Sequence, residues 1–304
     1  MNKIILYLFI VLILSAYLNF FRNNCIHKIE PLKNYSKKTI RKETRQAACA
    51  NFEQIKSRMS NIDLQIGVTG STEEKLLVKI APFLDTKDSV SVDIGANQGL
   101  FSKLLKKIFV KEPRYIFDVI PLFVARLRRM FPSSVVKLAA VSDIKNKTVN
   151  ILGASKWGKE FKQFAGASII KRGELFKHVL TTVKTTTMDA FFVNKKNIFF
   201  LKIDTEGMDG RVLHGAKQML KEKRIQSIFW ENNKIQVFVG DSLYTNIQFL
   251  NSLGYTSFQV GRDILFPISD CRKDHIVFAH NAPTGNILSV DKQSDLYKFL
   301  KTIS

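Results

Sequence analysis

The sequence predicts an α/β protein, a mostly parallel sheet with helices packed on both faces. Three observations carry this expectation. From about residue 85, short β-branched or aromatic runs alternate with stretches of helical apolar spacing. The run 198–204 (IFFLKID) is almost continuously apolar, as a strand buried on both faces requires. The first run, 89–94, is followed by Gly95 and Gly99 and then at once by a helical pattern, the order of a strand–turn–helix unit.

Taken in order, a helix is predicted over 74–83, ended by the polar Asp85-Thr86-Lys87-Asp88. Strand 89–94 (SVSVDI) enters the turn Gly95-Ala96-Asn97-Gln98-Gly99, and Leu100, Leu104, Leu105 and Ile108 space a helix over 100–109. Strand 114–117 leads to Asp118. Pro121, suited to a first helical turn, opens a helix over 121–130. A third strand, 135–141, ends at Ser142-Asp143, with 148–152 as its hairpin partner or extension. Residues 153–180 break the rhythm with Trp157, Phe161, Phe164 and His178 among lysines, and read as an insertion over the active face. Strands 183–187, 198–204 and 225–230 follow, with helices over 210–220 and 243–253, the latter stopped by Gly254. Strands 256–260 and 275–279 close the sheet. Ligands of such sheets bind at the carboxyl ends of the strands.

Composition bounds the class. The chain has 304 residues, 45% apolar and 24% charged, enough for a core without staples. Three cysteines, Cys25, Cys49 and Cys271, exclude a disulfide framework and a four-cysteine zinc site. Net charge is +21. Residues 1–60 hold eleven basic and three acidic side chains, which leaves +13 on the rest, so the bias is not confined to a tail. It suits an acidic partner (anionic lipid, acidic glycan or nucleic acid) or reflects a lysine-rich background. No basic block with interleaved aromatics marks nucleic-acid reading, and a nucleic-acid partner is not expected.

The uncharged run 4–21 (IILYLFIVLILSAYLNFF) is about 27 Å long as a helix, enough to cross a thin bilayer. Its end is bulky where a signal peptide carries small residues, so an uncleaved anchor is the expectation, with a signal peptide or a core helix as alternatives. The domain plan is a tail 1–3, an anchor 4–21, a basic stalk 22–60, partly helical around 47–59, and a globular domain 61–304. That makes a single-pass membrane protein, of the endoplasmic reticulum or Golgi if the source is a eukaryote. The lysine-rich flank after the run favours a cytoplasmic domain, while the sequons at Asn34 and Asn146 suit a lumenal one.

The chemistry-bearing residues fall at strand ends. Gly95 and Gly99 let the backbone turn and approach a ligand closely, with a helix amino end behind them. The dinucleotide and P-loop spacings are both absent. Asp118, nineteen residues after Gly99, is placed to accept hydrogen bonds from ribose hydroxyls. VDIGANQGLFS (92–102), IFDVIP (116–121), AAVSD (139–143), LKIDTEGMDGRVLHGA (201–216) and the acid Glu231 in IFWENN together resemble the FkbM-type family of S-adenosylmethionine-dependent methyltransferases, over about residues 85–260. The second block departs from the family's F-E-P-x-P, with Asp118 for Glu and Val119 for Pro.

The resemblance implies a Rossmann-like methyltransferase fold with a seven-stranded sheet. It implies S-adenosylmethionine as cofactor, held at Asp93, Gly95, Asn97, Gly99, Asp118 and Asp143, and methyl transfer to a hydroxyl. Because an alcohol must lose its proton, a carboxylate near the methyl helps as base. Asp204 at its strand end takes that role or orients the substrate. Glu206 is a positioning carboxylate or a helix cap, and Glu231 a third candidate catalytic residue. Lys202 reads as an ion-pair partner of a neighbouring acid, and His214 as solvated or capping. Glu231, Asn232 and Asn233 with Asp204 are an oxygen-ligand set for a metal, but no metal site is expected. The function expected is a membrane-anchored O-methyltransferase acting on a glycan, a lipid-linked hydroxyl or a small molecule. A catalytically silent scaffold in secretory trafficking is the alternative.

Overall fold

In the computed structural model, which describes residues 70–111, 113–153, 168–170, 178–194, 196–261, 265–268 and 284–303, helix α1 (Gly70–Ile80) precedes the first strand, β1 (Ser89–Ile94). Then come α2 (Leu100–Ile108), β2 (Arg114–Asp118), α3 (Pro121–Met130), β3 (Val135–Leu138), β4 (Ala140–Val141), β5 (Thr148–Gly153) and β6 (His178–Thr186). The second half holds α4 (Met188–Phe191), β7 (Asn197–Ile203), α5 (Asp209–His214), α6 (Lys217–Lys221), β8 (Ser227–Asn233), α7 (Leu243–Ser252), β9 (Tyr255–Val260), β10 (Leu265–Pro267), β11 (Thr284–Asp291) and α8 (Asp295–Ile303).

The main sheet runs β10-β9-β11-β8-β7-β1-β2-β3. From β3 to β8 every pair is parallel, whereas β11 is antiparallel to both β8 and β9. The chain order reverses at β1, with β2 to one side and β7 to the other, and a crevice opens at such a switch point above the carboxyl ends. Side-chain alternation sorts the faces. Val92, Ile94, Leu201 and Ile203 pack with α5, α6 and α7 residues such as Val212, Leu220 and Ile247. Phe200 and Phe229 pack on the other face with Leu77, Phe101, Leu105 and Leu300 of α1, α2 and α8. Asp93 and Lys202 are partners in the β1–β7 register. The period of two that buries the flanking aliphatics therefore sets these two polar residues side by side on the α1/α2 face.

Several expectations are corrected. The main sheet has eight strands, not seven, because the short β10 adds an edge. The single strand expected over 135–141 breaks at Ala139. Its first part pairs with β2, while β4 joins a separate three-stranded sheet, β4-β6-β5. The partner of β5 is the nine-residue β6, not the third strand. The helix expected over 210–220 is two helices, divided at Gly215, where a Cβ would meet the Ser142 carbonyl oxygen at 2.0 Å. β11 and α8 carry no prediction, and β11 inserts between β8 and β9. The anchor, the stalk, Trp157, Phe161, Phe164 and the strand expected at 275–279 lie outside the described residues. Among the described residues no helix is long and apolar enough to cross a membrane.

The Gly215 contact gives a direct test of this packing. Gly215 has helical backbone angles, so a side chain there is opposed by the Ser142–Asp143 backbone and not by its own φ. Gly215→Ala should lose about 3 kcal/mol of unfolding free energy in urea denaturation. A loss below about 0.5 kcal/mol would show that the two backbones do not meet this closely.

Candidate active site

The site is assembled around one buried ammonium. Lys202 Nζ donates to the Gly95 carbonyl oxygen at 3.0 Å and lies 3.3 Å from Asp93 Oδ1 and 3.4 Å from Asp204 Oδ2. The Phe101 ring is 5.8 Å away. Burial alone would pull its pKa down, but the Asp93 and Asp204 carboxylates outweigh burial and raise it, so the cation persists. Asp93 is 1% exposed, and its second oxygen accepts from Ser102 Oγ at 2.5 Å. Lys202 thereby ties the end of β1, the glycine turn and the end of β7 together.

Above this knot the turn is set by backbone geometry. Gly95 has φ +75°, and a Cβ there would fall 1.8 Å from the Asp204 carbonyl oxygen, so only glycine lets the two strand ends touch. Asn97, also left-handed at φ 51°, donates its N–H to Asp118 Oδ2 at 2.7 Å, and Ile120 N–H donates to Oδ1 at 2.8 Å. Burial pushes the Asp118 carboxyl up to about 6 in spite of these two donors. Gly99, at φ +81°, caps α2 and is packed by Leu127 and Phe131.

The opposite wall is the loop Asp204-Thr205-Glu206-Gly207. Asp209, fully buried, accepts from Thr205 N–H at 3.2 Å and Thr205 Oγ1 at 2.8 Å with one oxygen, and from Glu231 N–H at 3.2 Å with the other. Glu206 is left-handed at φ 55°, and its carbonyl accepts from Ser168 Oγ at 2.9 Å. Gly207, at φ +93°, has Ile235 and Ile170 packed where a Cβ would stand. Glu206 does not cap a helix, because Met208 holds the α5 N-cap position.

Between the walls lies a cleft open to solvent. Gly95, Asn97, Asp118, Asp204 and Glu206 line it, with an apolar flank that includes Ile120, Phe123 and Ile151. Four other sequence candidates are placed elsewhere. Asp93 and Gly99 support the turn from beneath. Asp143 lies outside the cleft, where burial would raise its pKa but hydrogen bonds from Ser142 and Arg211 hold it below the usual range. Glu231 stands behind Asp209, its carboxyl pushed up to about 8 by burial and by the Asp204 and Asp209 charges. Burial and Asp204 likewise raise Asp209 to about 7. His214 stacks on Phe249 with ring centroids 4.2 Å apart.

Sequence reasoning missed Asp209 as the loop's tie, Ser168 as its clamp, and Glu73 of α1. Burial raises Glu73 to about 7 against the pull of Lys202. Asp209 stands inside the LKIDTEGMDGRVLHGA block, so a signal existed, while nothing around Glu73 or Ser168 marks them. Among the described residues no group of three or more His, Cys, Asp or Glu could hold a metal ion.

Two outcomes follow from this geometry. Lys202→Met strands Asp93 in an apolar setting and should cost about 3–5 kcal/mol in chemical denaturation. A loss under about 1 kcal/mol would mean the ammonium is not the tie described. Glu231 binds its proton more tightly folded than unfolded, so its contribution is intact at pH 4 and is lost as pH rises through about 8. Thermal unfolding of Glu231→Gln and of the unsubstituted protein should therefore diverge between pH 5 and 9, the substituted protein falling less. Parallel curves would contradict the raised carboxyl.

The sequence model described as the methyltransferase FkbM domain matches residues 14–257. No curated protein matches. Solved structures similar to this chain include the methyltransferase FkbM from Methylobacillus flagellatus KT, at 10% identity over 80% of this chain and 60% of that one, with a TM-score of 0.39. The chain thus spans less than two thirds of that protein. Precorrin-6y C5,15-methyltransferase from Geobacter metallireducens GS-15 has 10% identity over 75% of this chain and 92% of its own, with a TM-score of 0.37. An O-methyltransferase from Bacillus cereus in complex with SAH has 12% identity over 81% and 91%, with a TM-score of 0.33. The matched span takes in every strand-end residue from Asp93 to Glu231, and the chain belongs to the FkbM methyltransferase family.

Proposed function

We propose that the protein is an S-adenosylmethionine-dependent O-methyltransferase, anchored to a membrane by residues 4–21 and acting on a hydroxyl of a glycan, a lipid-linked compound or a small molecule. The observation that carries the cofactor reading is Asp118. Its carboxylate faces the cleft at the end of β2, and both oxygens are already oriented by backbone N–H donors. An ionised carboxylate has about four lone-pair sites, so each oxygen can still accept from a ribose hydroxyl. Ile120, Phe123 and Ile151 offer an apolar wall of the kind a purine needs.

When bound, S-adenosylmethionine supplies a methyl group on a cationic sulfur, open to in-line displacement by an oxygen. The protein's part is to hold and deprotonate that oxygen. Asp204 is suited to it: its side chain is 45% exposed in the cleft wall, and Lys202 fixes one oxygen by charge, which leaves the other to accept a hydroxyl proton. Asp204 would take the proton that the acceptor hydroxyl must lose. Glu206, on the same rigid loop, orients the acceptor. Glu231, protonated at neutral pH and outside the cleft, supports the loop through its backbone contact with Asp209 and is not a base.

Calorimetric titration of the protein with S-adenosylhomocysteine should show micromolar binding, and its absence from a folded sample would reject the cofactor reading. Gly95→Val should abolish binding, because its Cβ forces the two strand ends apart. Asp204→Asn should bind the cofactor product normally and lower methyl transfer at least about 100-fold. An unchanged rate would remove Asp204 from the chemistry.

A further inference from the structure

A basic surface stands at the end of the sheet opposite the cleft. In a parallel β–α–β unit each helix returns the chain to the amino end of the next strand, so the last turns of α2, α3 and α6 come to lie there. α2 ends on Lys106 and Lys107, α3 on Arg128 and Arg129, and α6 on Lys221. Lys87 precedes β1 and Lys111 precedes β2. Lys292 follows β11, whose last residues pair with the first of β8 and β9 and so end on the same side. Helix dipoles favour cations at helix C-termini, which accounts for the five in the last turns. Lys87, Lys111 and Lys292 stand outside any helix, and that account does not reach them.

These charges are not neutralised within the fold. The acids at this end already have partners. Asp88 lies 3.7 Å from Lys196, Glu222 3.8 Å from Arg224 and Asp291 2.8 Å from Lys223, and Asp85 accepts from Lys87 N–H at 3.0 Å. Lys87, Lys106, Lys111, Arg129, Lys221 and Lys292 are exposed, and among the described residues no carboxylate lies within ion-pair distance of their charges. The chain outside the described residues carries more Lys and Arg than Asp and Glu, so it holds no surplus of acid to offset them. Val110 and Val193, 70% and 67% exposed, stand among these cations. The large exposed hydrophobics at this end are valines, and among the described residues no aromatic joins them.

We propose that this amino-end face rests on the surface of an anionic bilayer, with the cleft opening away from it into water. Lysines on long apolar stems reach the headgroup charges, while the valines enter the shallow apolar edge of the interface. Anionic headgroups attract such basic clusters within about one Debye length, ~10 Å at 0.1 M salt. A nucleic acid is met instead by aromatic stacking platforms and arginine forks, whereas five of the six unpaired cations here are lysines and no exposed aromatic lies among them. The docking goes beyond the anchor, which by itself leaves the orientation of the domain open. It also narrows the acceptor, a step that rests on the reading above: a hydroxyl reaching the cleft comes from the aqueous side, on a glycan or a soluble small molecule, and not from a lipid buried in the same bilayer.

The test is acetylation footprinting of the full chain, reconstituted with vesicles of phosphatidylcholine alone or with about 30 mol% phosphatidylserine, each lysine being read by mass spectrometry. The serine lipid should slow acetylation of Lys106, Lys111, Lys221 and Lys292 at least about fivefold relative to neutral vesicles, and about 0.5 M NaCl should restore it. Lys103, in the first turn of α2 at the cleft end, should react at the same rate on both. Equal rates for the four lysines on the two kinds of vesicle would overturn the proposal. Protection of Lys103 to the same extent would overturn it as well, because adsorption without orientation gives that result. Protection by a duplex RNA and not by the serine lipid would put a nucleic acid in place of the bilayer. A chain that fails to stay with neutral vesicles would reject the anchor alone, since the serine lipid is then still expected to protect the four lysines.

Discussion

The contact between the Lys202 ammonium and three oxygens of two adjacent strand ends is the constraint on which the site depends. A lysine in the middle of IFFLKI is tolerable only if its charge is met, and the β1–β7 register meets it by setting Asp93 directly opposite. The Gly95 carbonyl is the third ligand, which fixes the first residue of the turn relative to β7. Replacing such a buried pair with apolar side chains of similar volume often leaves stability unchanged. Its value here is positional: it brings Gly95, Asp204 and the start of α2 into one place, with Phe101 and Ser102 of that helix closing the far side.

Burial acts unequally on the acids around this knot. Asp118, Asp209, Glu73 and Glu231 are raised to about 6, 7, 7 and 8, burial being the main cause in each. Those nearest the aqueous cleft must stay available for chemistry, and those behind it serve best as neutral hydrogen-bonding groups. This separates roles that sequence alone leaves together. Asp204 and Glu231 are both acids at the ends of central strands, yet one is 45% exposed in the cleft wall and the other sits behind Asp209.

What was legible in the sequence was whatever repeats with a period or stands in a short block. The parallel core, the glycine turn, Asp118 and the Asp204–Glu206 loop follow from alternation and local motif, and they fall where expected. What was not legible depends on residues far apart in the chain. Ala139 ends β3 because the chain leaves one sheet for another, which is set by pairing with β6 some forty-five residues later. Gly215 divides a helix because a different loop, at Ser142, presses against it. Asp143 stands in register as a third strand-end acid, yet Arg211 on α5 draws it into an ion pair at 3.1 Å, away from the cleft. β11 pairs antiparallel between two strands that precede it in sequence, an order no local pattern announces.

The glycines of the family blocks show the same division between local and distant causes. Gly95 is kept free of a side chain by Asp204, Gly99 by α3, Gly207 by Ile235, Gly210 by Asn246 and Asp241, and Gly215 by Ser142. In each case the space a Cβ would need is filled by the protein itself and not by the cleft. These blocks are therefore chiefly a packing code, which brings five separate backbone segments close enough for Asp118, Asp204 and Glu206 to share one opening. On the proposed reading, ligand recognition falls to those three carboxylates, the glycine turn and the apolar wall, all of which line the cleft. A substitution at a block glycine thus acts on the cleft by displacing its walls, whereas Asp118 and Asp204 each join a place in the cleft wall to a tie that holds the frame.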